Sequence, residues 1–67
     1  MDEEKSLGDK IVAFIDDRMQ QGIRTSSLDV QNHFALPSQD TFVELEDLLE
    51  AGRIEMLSDN SLEVTYA

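Results

Sequence analysis

Within the stretch TFVELEDLLEAGRIEML, residues 41–57, stand Glu44, Glu46, Asp47 and Glu50, with no Lys or Arg among them before Arg53. Asp59 adds a fifth carboxylate a little further on. Carboxylates crowded this way offer electrostatic recognition. They attract a basic surface, steer its approach and reject partners of like charge. The bland alternative is a solvated face that keeps the chain soluble or adapts it to high salt. The cations are fewer and lie elsewhere: Lys10, Arg18, Arg24 and Arg53 form a candidate basic patch on the other side of the domain. Its bland reading is a set of surface ion pairs with Asp9, Asp16, Asp17 or Asp29, each contributing little.

The remaining reactive side chains give no catalytic pattern. His33 is the only histidine and has no neighbour at metal-ligand spacing, so it reads as a cation near the end of a helix. The six serines have no evident cleft to work in. The run DNSLE, residues 59–63, lacks the Gly and ligand spacing of a calcium loop. A chain of 67 residues has apolar matter for one small core, and a substrate cavity would consume it. The expectation is a non-enzymatic domain without metal or cofactor.

Local patterns set the elements that must carry these residues. Residues 1–5 read as a charged tail, and residues 6–67 as one domain. Ser6 and Asp9 suit a capping box for a first helix bearing Leu7, Ile11, Phe14 and Ile15, ending near Gln21 with Gly22 as its left-handed residue. Ile23, Arg24 and Thr25 suit a short strand that pairs with a later hairpin, on the Arg53 side if Arg24 and Arg53 are to meet. Ser26 or Ser27 caps a second helix with Leu28, Val30 and Phe34 as its apolar residues. Pro37 breaks the chain, and Ser38 is expected to cap a third helix with Phe42, Leu45, Leu48 and Leu49 buried, up to Gly52. Beyond Gly52 the apolar period falls to two. Ile54 and Met56, then Leu62, Val64 and Tyr66, form a hairpin around the turn residues Ser58, Asp59, Asn60 and Ser61. Met19, Met56 and Tyr66 either complete the core or form an apolar patch for a partner.

The order helix, strand, helix, turn, helix, hairpin resembles the winged-helix variety of the helix-turn-helix fold. The likeness is carried by Ser27, Val30, Phe34, Leu36, Ser38, Phe42, Leu45, Leu48, Gly52 and Ile54. It implies an α+β domain of three helices and a small antiparallel sheet with a C-terminal wing. It also implies DNA binding through the third helix, or dimerisation through the first helix and last strand.

Charge argues against the usual DNA mode. The net charge is −10. Residues 1–33 hold seven acids against four bases, and residues 34–67 hold eight acids against Arg53 alone. The half with the third helix and wing is thus the more negative, whereas a duplex with one phosphate per ~1.7 Å of axis demands cations there. The leading expectation is a protein-interaction module that presents Glu44, Glu46, Asp47, Glu50 and Asp59, on the acidic third helix and wing, to a basic protein such as one that processes nucleic acid. One alternative is a small DNA-binding regulator using Lys10, Arg18, Arg24 and Arg53. Another is a DNA mimic whose carboxylates stand in for phosphates.

No apolar run reaches the roughly 20 residues of a membrane span, and the N-terminus is acidic where a secretion signal is basic. Together with the absence of cysteine, this suggests a cytoplasmic protein. Met1 fits either the natural start of a small complete protein or an added Met on an excised domain.

Overall fold

Ser6 closes the start of the first helix by accepting a hydrogen bond from Asp9 N–H at 3.1 Å. The structure, a computed structural model, describes residues 6–65. The tail expected over residues 1–5 and the strand position of Tyr66 lie outside them. Helix α1 spans Leu7–Gln20, strand β1 Thr25–Ser26, α2 Ser27–Phe34, α3 Ser38–Glu50, β2 Ile54–Met56 and β3 Ser61–Val64. The sheet is antiparallel in the order β1-β3-β2. This α+β arrangement of three helices, a small sheet and a C-terminal hairpin is consistent with a small winged-helix-like fold.

All the helices end alike. After α1, Ile23 N–H donates to Arg18 C=O and Gly22 N–H to Met19 C=O. After α3, Arg53 and Gly52 repeat the pattern onto Leu48 and Leu49, and after α2, Leu36 and Ala35 repeat it onto Gln31 and Asn32. This paired capping needs one left-handed residue. Gly22 and Gly52 supply it as expected, with φ of 79° and 74°, but at α2 the residue is Ala35, with φ 54° and ψ 44°.

Each helix and both hairpin strands send side chains to one core: Ile11 and Ile15 from α1, Val30 from α2, Leu45 and Leu48 from α3, Ile54 from β2 and Leu62 from β3. Gly8 lets α1 close on α3, since a Cβ there would stand 3.3 Å from Leu48 Cδ2.

Four local expectations are corrected. The buried stripe of α3 is shifted: Thr41 is 2% exposed and Phe42 62% exposed, while Leu49 is half-buried. Thr41 tolerates burial because its hydroxyl donates to Pro37 C=O at 3.1 Å. Ser38 does not cap α3. Pro37 holds the N-cap position without a side-chain bond, and Ser38 is the first helical residue. Leu28 is 59% exposed, so Val30 alone of the α2 residues is fully buried. Finally, β1 pairs with β3, Thr25 opposite Leu62, and so does not join Arg53's strand. The hairpin forms as expected except that Met56 is 47% exposed.

Two outcomes follow in urea denaturation. Phe42→Ala should lower stability by less than about 1 kcal/mol, against about 2–5 kcal/mol for Leu45→Ala, which empties a packed site. Ala35→Gly should raise stability by about 0.5–1 kcal/mol despite removing a methyl group, because it relieves a left-handed alanine.

Candidate functional site

The five acids proposed from sequence do not share one face. Glu46 and Glu50 lie one turn apart on the solvent side of α3, with Asp47 also exposed beside them. Glu44 is half-buried on the side turned toward α1, its Oε1 4.0 Å from where a Cβ on Gly8 would be. Asp59 is engaged within the wing. Its Oδ1 accepts from Ser61 N–H at 3.0 Å and from Ser61 Oγ at 2.6 Å, and its Oδ2 accepts from Arg24. That carboxylate shapes the turn that leads through Asn60, φ 70°, into β3.

The candidate basic patch is also divided. Arg18 Nε donates to the Thr25 hydroxyl at 2.8 Å, and its Nη2 donates to Arg24 C=O at 2.7 Å and reaches Asp29 Oδ2 at 3.4 Å. Its guanidinium carbon lies 5.4 Å from the centre of the Phe14 ring. Arg53 donates to Asp9 at 2.7 Å, and Arg24 is paired with Asp59. Arg24 and Arg53 therefore serve different carboxylates and do not form a pair. Lys10 is exposed on α1. His33 lies in the last turn of α2 as expected, and its ring stacks on Phe14 with centroids 4.1 Å apart.

These contacts set the acid–base character of three carboxyls. At Asp9 the hydrogen bond from Arg53 holds the carboxyl below its ordinary range, outweighing desolvation. At Asp29 the leading cause is the backbone N–H of Ser26, 2.9 Å away, helped by the Ser26 hydroxyl and the charge of Arg18. At Asp59 it is the hydroxyl and then the N–H of Ser61, with Arg24 a smaller contributor.

What sequence reasoning missed is apolar. Phe42, turned outward, joins Leu45, Leu49 and Met56 around an open groove of ≈ 360 Å³. Ser27 and Gln31 of α2, Ser38, Thr41 and Glu46 complete its lining. Of its residues, the sequence offers only Met56 as part of an apolar patch and assigns Phe42, Leu45 and Leu49 to the core. A second, smaller hollow of ≈ 230 Å³ lies beside Met19, Ile23 and Leu62. Among the described residues, no group of three or more acids or histidines is placed to hold a metal, and no helix is long and apolar enough to cross a membrane. No protein-family model, curated protein or solved structure matches this chain.

A carboxyl whose pKa is lowered by folding stabilises the fold above its unfolded value, near 3.8, and loses that contribution as pH falls through the lower folded value. Urea titrations at a series of pH values should show this for Asp29. The stability gap between wild type and Asp29→Asn should be widest above pH 4 and close progressively below 3.8. A gap that stays constant to pH 2 would show that Asp29 is not engaged in this way.

Proposed function

We propose that this chain is a non-enzymatic winged-helix module that binds a basic protein through the solvent side of α3, with Glu46, Asp47 and Glu50 as the charged contacts. The observation that carries the reading is where these acids sit. Asp47 and Glu50 are near the C-terminal end of α3, whose carbonyls already make that end negative, and the last turn holds no basic residue. Glu46 and Glu50, four apart, and Asp47 and Glu50, three apart, also repel each other along the helix. By contrast, α1 carries Arg18 in its last turn and α2 carries His33. The arrangement on α3 costs stability locally, and a cation from outside the chain would relieve it.

The rival reading, DNA contact through Lys10, Arg18, Arg24 and Arg53, is weakened because the three arginines are already bonded to Asp29, Asp59 and Asp9. Releasing them to phosphates would break those pairs. A mimic of DNA fits less well than a docking face, since Glu44 and Asp59 are turned to other tasks and only a short row of free-standing carboxylates remains. The basic surfaces such a row recognises are those that nucleic-acid-handling proteins carry.

Amide NMR titration with mixed-sequence duplex DNA at low salt separates the readings, because electrostatic binding is strongest there. The expected result is no shift. Shifts clustered at Lys10, Arg18, Arg24 and Arg53 would restore the DNA-binding alternative. In affinity capture, a partner retained by the wild type should be lost when Glu46, Asp47 and Glu50 are changed together to Lys.

A further inference from the structure

The groove beside α3 is the larger of the two apolar hollows described above, and it adjoins the acidic side of that helix. Its α3 bank is Phe42, Leu45 and Leu49, its far wall is Met56 on β2, and Ser27 and Gln31 of α2 close one end. Phe42 and Met56 are large side chains left in water although the core has no need of them there. Apolar surface gathered in a concavity and rimmed by polar groups marks a contact site more often than isolated exposed residues do. No cation lines the groove, and Glu46 does.

We propose that this groove holds an amphipathic helical segment of the basic partner, one that inserts an apolar side chain between Phe42 and Met56 and sets Lys or Arg against Glu46 and Glu50. The inference rests on the reading of α3 as the contact face and names what that face receives. Charge complementarity selects the occupant. Glu46 and Glu50 stand one helical turn apart, about 6 Å along the axis, and a helix lying along α3 presents Lys or Arg at the same interval. The apolar anchor enters the groove beside them, which is the helix-in-groove mode of recognition. A second copy of the chain is disfavoured. It brings a net charge of −10 and a matching acidic rim to a surface that is already negative.

Two synthetic helical peptides test this with the whole chain, followed by amide and methyl NMR at physiological ionic strength. One carries leucines at i, i+4 and i+7 flanked by lysines; the other has the same lysines with each leucine replaced by serine. The leucine peptide should shift the Leu45, Leu49 and Met56 methyls and the Phe42 ring, and bind at least about tenfold more tightly than the serine peptide. Phe42→Ala with Met56→Ala should erase that advantage, and both side chains are exposed enough for the variant to fold. Glu46→Lys with Glu50→Lys should weaken both peptides.

Other results overturn the inference and can be told apart. Equal binding of both peptides, with shifts confined to Glu46, Asp47 and Glu50, sinks the groove but leaves the acidic docking face standing. Binding by neither sinks both. Contacts that extend β2 as an added strand would make the occupant an extended segment. A dimer in sedimentation equilibrium that Phe42→Ala dissolves would make it a second copy.

Discussion

One guanidinium joins the helical half of this domain to its sheet. Arg18 leaves the last turn of α1, donates to the buried Thr25 hydroxyl in β1 and to the Arg24 carbonyl, and reaches Asp29 in α2. Asp29 is also the second member of the capping box with Ser26 that starts α2. The end of α1, the position of β1 and the start of α2 are therefore one hydrogen-bonded unit. Thr25 is buried because its hydroxyl has that partner; without it, a polar atom would be sealed beneath the sheet with nothing to bond. Since β1 then pairs with β3, the register of the sheet against the helices follows from the same unit.

The placement of charge separates two uses of the same residue types. Asp9, Asp29 and Asp59 each hold an arginine and support the frame, whereas Glu46, Asp47 and Glu50 stand on a helix end that their charge disfavours. A solvated face needs negative charge somewhere, but it does not need it there. The apolar groove beside those acids gives the face a second chemical character, so the recognition proposed at α3 would join a dry contact to a charged one. Affinity in such a pairing rests mainly on the desolvated side chains, and selectivity on the charges around them.

Much of the frame is legible in the sequence because it depends on local chemistry. Glycines at 22 and 52 mark helix ends through positive φ, Ser26 with Asp29 marks a helix start, and the turn residues before Ser61 mark the hairpin. The groove is hidden for a reason that lies in tertiary packing. Thr41 and Phe42 are adjacent, and apolarity alone assigns the larger one to the core. Burial goes instead to the threonine, whose hydroxyl is satisfied by a carbonyl one turn back. Ala35 is hidden similarly, since nothing in an alanine announces a left-handed conformation. The arginines can be expected to find carboxylates, but which ones depends on the crossing of β1 to β3, a long-range pairing that no short window contains.

The wing is fastened at both ends. At its tip Asp59 holds Arg24, just ahead of β1, and at its base Arg53 holds Asp9 of α1. Its ladder alone is too short to persist in water, with three residue pairs between β2 and β3 and two between β1 and β3. What ties the hairpin to α1 in one cooperative unit is Ile54 and Leu62, buried in the core with Ile11 and Ile15, and the exposed ion pairs add little to that. A contact made on Met56 would therefore press on a strand seated in the core, not on a flap held by its turn alone.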